Sequence, residues 1–302
     1  MPKRRRRRTD AERFTPKQRA DRIKALEFLG DCPVFRLEDF LTAQPLAERS
    51  KQAAMWLLEH FCDTGLIFRL RRGVSCLDTV DEGGHISPYL IAKNLLPGAV
   101  IGYAAALAWH LDEFLPFPIA MISHRRMEPF TFYECDYFRV KPPVVFRHDH
   151  TVDPMVEDVT MAGTTVLITS LERTFIDLLD RPDLAFGGMV PLLRTFTGLE
   201  QLDPGALHHY AMALRSRHAI ARLAVMVRYH PRMQKYRWGN LFQFAPQHPF
   251  HFDPTFTEPG QEMFHRCFVP RGVFDDIYRQ QPGHARAFPE NTSGFNARLG
   301  ST

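Results

Sequence analysis

The 302-residue chain is poor in cysteine and has no long apolar segment, and each absence excludes a class of protein. Its five cysteines are scattered without a CxxC pair, so the sequence indicates neither a disulfide framework nor a cysteine zinc site. A membrane-spanning helix needs about 18 consecutive apolar residues, and no such run occurs. A secretory signal continues from basic into apolar residues, whereas the basic segment here continues into Thr9 and Asp10. We therefore expect a cytoplasmic protein without a membrane partner.

The motifs of common catalytic and nucleotide-binding sites are absent as well. The chain contains no Walker loop, GxSxG, HExxH or dinucleotide-binding fingerprint. Glu134, Asp136 and Lys141 raise the alternative of a nuclease, because two carboxylates can hold Mg²⁺ while a lysine contacts phosphate. Their spacing departs from the usual nuclease core, and charges at the edge of a strand explain them more simply. The sequence therefore predicts no catalytic residue and no cofactor.

Histidine is plentiful, with 14 copies, and two groups raise the question of a metal site. His248, His251 and Asp253 are close in sequence, but the prolines around them give the side chains no shared face. His148 and His150 form a lone HxH, which is a weak signal in a chain with this many histidines. We therefore predict no metal site.

Positive charge is concentrated at the amino terminus. Residues 1–24 hold eleven Lys or Arg against three Asp or Glu, a surplus of +8, which leaves −4 for the remaining residues out of the total of +4. A cationic arm before a near-neutral body favours a polyanionic partner, because neutralising phosphates releases counterions. The residues that would contact the polyanion are Arg4, Arg5, Arg6, Arg7 and Arg8.

Three short helices are predicted after this arm. Thr15 and Gln18 have the spacing of a capping box, and Pro16 occupies the first helical position. Residues 37–41 can form a short second helix. A third helix, ending near Gly65, is indicated by apolar residues at helical spacing, namely Ala54, Leu57, Leu58 and Phe61.

A β-hairpin is predicted directly after the third helix. In residues 66–71 the side chains at odd and even positions face opposite sides, as in a strand. Arg72 and Gly73 form a tight turn, and residues 74–77 form the second strand. Three helices followed by a hairpin are the order of a winged helix-turn-helix, which we place over residues 15–80. This domain commonly binds DNA, although it also serves in protein contacts.

The outward face of the third helix contains the candidates for reading bases. When the apolar residues face the core, a rotation of about 100° per residue turns Arg49, Gln52 and Trp56 outward and leaves Lys51 on a flank. Arginine can pair with guanine and glutamine with adenine in the major groove. The hairpin supplies the candidates for phosphate contacts, which are Arg69, Arg71 and Arg72.

The rest of the chain indicates an α+β multidomain protein. A mixed α/β domain is expected over 86–200, a helical and short-strand region over 201–281, and disordered segments over 1–14 and 282–302. Within these ranges we expect a strand over 144–147 and one long helix over 204–229. Thr169 and Glu172 have the spacing of a second capping box, before a helix that ends at Pro182.

The predicted helix that ends at Pro182 and the loop after it contain a further motif, made of Ser170, Glu172, Arg173, Thr174, Asp177, Gly187 and Gly188. This motif resembles the central signature of the AbiEi family of type IV antitoxins, which are bacterial transcriptional regulators. The similarity extends to Leu70–Val74 of the hairpin and to an Ala-Leu…His-Leu segment over 106–111, where the family's glycine is missing. By the order of its motifs the resemblance covers residues 15–230.

The resemblance implies a specific role. Such proteins repress the operon that encodes themselves and a nucleotidyltransferase-like toxin, so the expected partners are double-stranded operator DNA and, functionally rather than by necessary contact, that toxin. Two alternatives remain open at this point. One is a metal-dependent nuclease guided by the winged domain, and the other is a winged-helix adaptor that binds protein or RNA.

Deleting residues 1–10 should weaken specific and non-specific DNA binding alike, because phosphate contacts carry no sequence information. The salt dependence of affinity should also flatten, since each lost phosphate contact lowers the log–log slope by about 0.9. Titrations of one DNA at several salt concentrations measure both effects. Unchanged affinity and slope after the deletion would contradict the prediction.

Overall fold

A computed structural model describes residues 15–43, 51–78, 86–113, 118–132, 134–147, 154–255, 261–263 and 267–269. The predicted disordered segments over 1–14 and 282–302 therefore lie outside the described residues. The chain divides into two compact units, 1–99 with 158–167 and 100–157 with 168–302, so residues 86–99 group with the first unit rather than with the predicted central domain. Within the described residues, no helix has the length and apolarity needed to cross a membrane.

The first unit combines short helices with a three-stranded sheet of order β1-β3-β2. Strand β1, which sequence reasoning missed, pairs with β3 through Val34 and Cys76. The bounds of the elements are α1 Pro16–Asp31, β1 Val34–Arg36, α2 Leu37–Thr42, α3 Lys51–Asp63, β2 Ile67–Arg71, β3 Val74–Leu77 and α4 Pro88–Leu95.

Helix α1 begins as its sequence predicts. The Thr15 hydroxyl accepts from the Gln18 amide at 3.3 Å, and the Gln18 side chain accepts from the Thr15 amide at 2.8 Å, which completes the capping box. Ile23 and Leu26 are 58 % and 39 % exposed. The core contact of α1 is made instead by Ala25 and Leu29.

Helix α3 has the predicted amphipathic character. Its four apolar positions, Ala54, Leu57, Leu58 and Phe61, are all buried in one cluster with residues of α1, β1, α2 and β2. The chain turns at Gly65, whose φ of +75° favours glycine, and enters the hairpin. A bulge between Arg69 and Arg71 shifts the β2–β3 register, so that Ile67 and Leu70 are both buried.

The second unit contains most of a mixed six-stranded sheet of order β6-β7-β5-β4-β9-β8. Strand β5 runs antiparallel to β4 and parallel to β7. Residues 158–167, in β8 and β9, group with the first unit. The bounds are β4 Val100–Gly102, β5 Ile119–Ile122, β6 Phe130–Phe132, β7 Cys135–Val140, β8 Val156–Met161 and β9 Thr164–Thr169.

The helices of the second unit surround a central helix, α6, which contacts α5, α8 and α9. Nearly every side chain of α6 is buried. The bounds are α5 Tyr103–His110, α6 Leu171–Asp180, α7 Met189–Gly198, α8 Pro204–Leu214 and α9 Arg217–Tyr229.

Three local expectations for this unit are wrong. Residues 144–146 form a 3-10 turn rather than a strand, directly after Pro142 and Pro143, which bias the backbone away from a ladder. The helix expected over 204–229 is two helices, because Arg215 adopts a left-handed φ of 56° and Ser216 caps α9. The N-cap of α6 is Ser170, whose hydroxyl accepts from the Arg173 amide at 3.4 Å, and not Thr169.

A three-stranded sheet of order β10-β12-β11 follows the helices, with bounds β10 Phe250–His251, β11 Gln261–Met263 and β12 Cys267–Val269. A buried arginine connects this region to the helices. Arg222 donates to the Phe252 carbonyl at 2.9 Å and to the Leu179 carbonyl at 2.7 Å. Burial lowers the pKa of this guanidinium, and the two carbonyls compensate part of its desolvation.

Replacing Gly102 with alanine should destabilise the second unit, because the added Cβ would lie 2.7 Å from Cδ1 of the buried Ile122. Overpacking of this kind costs about 1–3 kcal/mol. Ile122→Val removes the clashing carbon and by itself costs about 0.5–1.5 kcal/mol. Urea unfolding of both single variants and the double variant should show that the double variant is less destabilised than the sum. Additive costs would exclude this clash as the cause.

Candidate functional site

Only some of the predicted DNA-contacting residues lie within the described ranges of the structure. Arg4, Arg5, Arg6, Arg7, Arg8 and Arg49 lie outside the described residues. Lys51, Gln52 and Trp56 belong to helix α3, and all three side chains are exposed. The rotation from the core face predicts this outward position for Gln52 and Trp56, and it leaves Lys51 on a flank. Trp56 is 47 % exposed, and its ring stacks on His60 one helical turn later.

The exposed face of α3 changes character along the helix. Its first half presents an ammonium, an amide and an indole from Lys51, Gln52 and Trp56, whereas its second half presents the carboxylates of Glu59 and Asp63. Carboxylates repel phosphate, so a polyanion is accommodated better at the start of this helix than at its end. The polarity of the face therefore restricts how a nucleic acid could approach.

The three hairpin arginines lie in two different environments. Arg69 lines a cleft of about 390 Å³ together with Glu59 and Asp63, and these carboxylates would repel a phosphate in the cleft. Arg71 and Arg72 lie at the hairpin turn itself, where the Gly73 carbonyl accepts from the Leu37 amide at 3.0 Å. Arg69 and Arg72 are exposed and Arg71 is half-buried. Arg72, exposed at the turn and outside the acidic cleft, is therefore better placed for phosphate contacts than Arg69, a distinction that the sequence did not reveal.

The structure adds Arg36 to the arginines near the hairpin turn. Arg36 in β1 and Arg71 in β2 both pair with Val74 in the central strand, so the two arginines flank the same residue. One guanidinium nitrogen of Arg36 lies 3.8 Å from the Glu38 carboxylate. In the sequence, Arg36 is only an arginine directly before a predicted helix. Its position beside the hairpin depends on the pairing of β1 with β3, which the sequence did not predict.

The central motif that resembles the AbiEi family forms a buried network. Arg173 Nε donates to Asp177 Oδ2 at 3.2 Å, and Arg173 also donates to the Pro154 carbonyl at 2.6 Å. The other Asp177 oxygen accepts from the Tyr210 hydroxyl at 2.8 Å. Arg173 is fully buried and its guanidinium lies 5.5 Å from the centre of the Tyr210 ring. These contacts assign the pair to the core rather than to an accessible active site.

Glu172 has a different role from the predicted capping box. Its carboxylate accepts from the backbone amide of Asp203 at 3.0 Å. Asp203 is the N-cap of α8, and its own side chain accepts from the Gly205 amide at 2.8 Å. Glu172 therefore stabilises the start of a helix 31 residues later in the chain.

The charged groups considered for catalysis or metal binding have local structural contacts. Asp136 accepts from the Thr131 hydroxyl at 2.6 Å across the β6–β7 hairpin. Asp253 accepts from Thr255 and from the Met189 amide, and these hydrogen bonds lower its pKa although burial opposes them. Within the described ranges, no group of three or more His, Cys, Asp or Glu is arranged to hold a metal ion. His148 and His150 lie outside those ranges.

A smaller cavity of about 220 Å³ lies in the second unit between Tyr103, Phe138 and the loop that contains Phe186. Tyr103 has a left-handed φ of 59°, which is rare for a bulky residue and must be held by the surrounding core. Burial raises the pKa of its hydroxyl, which favours the neutral phenol. The cavity is mostly apolar, and the carboxylate that lines it, Asp183, is paired with Arg181 at 2.7 Å.

Comparison with known proteins gives a structural match but no family. No protein-family model matches the chain, and no curated protein matches its sequence. Among solved structures, the fold is similar to that of the RV2827C protein from Mycobacterium tuberculosis, with a TM-score of 0.54 and 16 % sequence identity. The match covers 88 % of this chain and 95 % of that chain. At this identity the similarity shows a shared fold and nothing more.

Arg173→Ala should destabilise the second unit by about 3–5 kcal/mol, because it leaves the Asp177 carboxylate buried without its charge partner. Glu172→Ala is the matched control on the same helix. It removes one hydrogen bond near the surface and should cost about 0.5–1.5 kcal/mol. Urea unfolding of both variants tests the comparison. An Arg173→Ala protein of unchanged stability that has lost its biological activity would instead place Arg173 in a functional site.

Proposed function

We propose that the protein is a DNA-binding transcriptional regulator and that residues 15–80 form a winged helix-turn-helix. The observation that carries the proposal is the exposed first half of α3, where Lys51, Gln52 and Trp56 stand opposite a completely buried apolar face. In helix-turn-helix proteins the recognition helix contacts base edges with its N-terminal residues. The residues of α3 that suit base contacts are at that end.

The order of elements in the first unit supports the same proposal. The described order of α1, β1, α2, α3 and the β2–β3 hairpin, with β1 paired beside the hairpin, supports the assignment of a winged helix. Arg36, Arg71 and Arg72 add positive charge near the hairpin turn. These side chains are suited to bind phosphate oxygens and to fix the register of the protein on a duplex.

The antitoxin role rests on the resemblance to the AbiEi family. We infer that the protein represses its own operon, and that this operon also encodes a nucleotidyltransferase-like toxin. The family-like residues Ser170, Arg173, Thr174 and Asp177 lie in or around the buried network of α6, which is consistent with residues retained for the fold. In this proposal the protein needs no catalytic residue, metal or cofactor of its own.

A second candidate function is a winged-helix adaptor for protein or RNA. The observation in its favour is the exposed pair Ile23 and Leu26 on α1, because exposed apolar side chains on one helix face are a common feature of protein contacts. The two candidate functions differ in whether the protein binds particular DNA sequences selectively. A regulator selects particular duplexes from random DNA, whereas an adaptor does not.

The decisive experiment is the search for a preferred duplex. The full-length protein is used to select ligands from a random double-stranded DNA pool, and the DNA upstream of its own coding region is footprinted. We expect one recurrent sequence that also occurs in the protected region. Failure to enrich any duplex would refute sequence-specific DNA binding and favour the adaptor.

Gln52→Ala and Arg71→Ala should affect DNA binding in different ways. A side chain that reads a base changes the preference at one position by about 1–3 kcal/mol, whereas a phosphate contact weakens all sequences nearly equally. We therefore expect Gln52→Ala to lower the ratio of specific to non-specific affinity, and Arg71→Ala to lower both affinities together. Binding of the selected duplex and of a scrambled one is measured at one fixed salt concentration.

Arg194→Ala is the charge-matched control for Arg71→Ala, since Arg194 is exposed on α7 in the other unit. It should leave both affinities unchanged. If Gln52→Ala left the specificity ratio intact, α3 would not be the reading helix in the proposed orientation.

A further inference from the structure

Trp56 is an exposed aromatic residue whose orientation is restrained. Its indole and the imidazole of His60 have centroids 5.8 Å apart and are 6° from parallel. Stacking limits the conformations that the indole can adopt, so less conformational entropy is lost when the ring makes a contact. Nearly half of the side chain nevertheless remains exposed. The helix thus presents a preoriented apolar surface to its surroundings.

Trp56 follows Gln52 by one helical turn on the same exposed face of α3. Side chains four residues apart on a helix have Cβ atoms about 5–6 Å apart. Successive base pairs are stacked about 3.4 Å apart along the duplex axis. If Gln52 contacts one base pair, Trp56 therefore lies over a pair one or two steps away.

The chemistry of the major groove limits what an indole ring can recognise there. Base edges present hydrogen-bond donors and acceptors, and the apolar group among them is the C5-methyl of thymine. Contact between the indole and this methyl removes apolar surface of both from water. Burial of one such carbon corresponds to about a fourfold change in affinity.

The charges of the first unit favour DNA over a protein as the occupant of this surface. Lys51 lies at the start of α3, before Gln52 and Trp56, and Arg36, Arg71 and Arg72 belong to the same unit. Glu59, three residues after Trp56, and Asp63 disfavour phosphate toward the other end of the helix. This asymmetry admits a duplex with its groove over Gln52 and Trp56, whereas a purely apolar partner would gain nothing from the cations.

We propose that Trp56 is a specificity-determining residue that recognises the methyl group of a thymine one or two base pairs from the pair contacted by Gln52. This inference rests on the proposed DNA-binding function and deepens it. It assigns a T·A pair to a defined position of the preferred duplex.

The test removes the thymine methyl without changing base pairing. Each thymine of the selected duplex is replaced in turn by deoxyuridine, and the dissociation constant is measured for the full-length wild-type protein and for Trp56→Ala. At one position we expect deoxyuridine to weaken wild-type binding about fourfold and to leave Trp56→Ala binding unchanged. At that position Gln52→Ala should keep the full sensitivity to the methyl group, which makes it the matched control.

The possible outcomes separate this inference from the proposed function. If a preferred duplex is found but no thymine position shows coupling to Trp56, the methyl contact is refuted while DNA recognition stands. Equal weakening of preferred and scrambled duplexes by Trp56→Ala also refutes it, because the indole would then be a non-specific contact. If no duplex is preferred at all, the proposed function fails and this inference fails with it. Circular dichroism of Trp56→Ala confirms that the variant is folded before binding is compared.

Discussion

The buried ion pair between Arg173 and Asp177 is the contact on which the second unit depends. A guanidinium removed from water is tolerated only when its hydrogen bonds and charge are compensated. Asp177 supplies the charge, the Pro154 carbonyl supplies an acceptor, and the Tyr210 hydroxyl satisfies the remaining carboxylate oxygen. The segment at Pro154 and helix α8, which contains Tyr210, are thereby held against α6.

The first unit has a different constraint, which is the division of α3 into a buried and an exposed face. Burial of its four apolar side chains determines the rotation of the helix about its axis. That rotation in turn exposes Gln52 and Trp56. The β2–β3 hairpin follows directly after the helix in the chain. Packing and the candidate recognition surface are therefore two consequences of one amphipathic pattern.

Features that depend on neighbouring residues could be predicted from the sequence. The start of α1 follows from Thr15, Pro16 and Gln18, and the hairpin turn follows from Arg72 and Gly73. The prediction for Glu172 was wrong because a distant partner competes with the local one. Glu172 has the spacing of a capping box with Thr169, yet its carboxylate is bound by the Asp203 amide and Ser170 caps α6 instead.

By itself, the sequence determined the helices and turns whose hydrogen bonds and apolar spacing lie within a few residues, and with them the outward position of Gln52 and Trp56. Only the tertiary structure decided which charged groups lie near one another and which are buried. Arg69 lies beside Glu59 and Asp63, Arg36 lies across β3 from Arg71, and Arg173 is enclosed in the core. The physical reason is that desolvation and Coulomb interactions depend on distance in space, and these partners meet only when strands and helices pack.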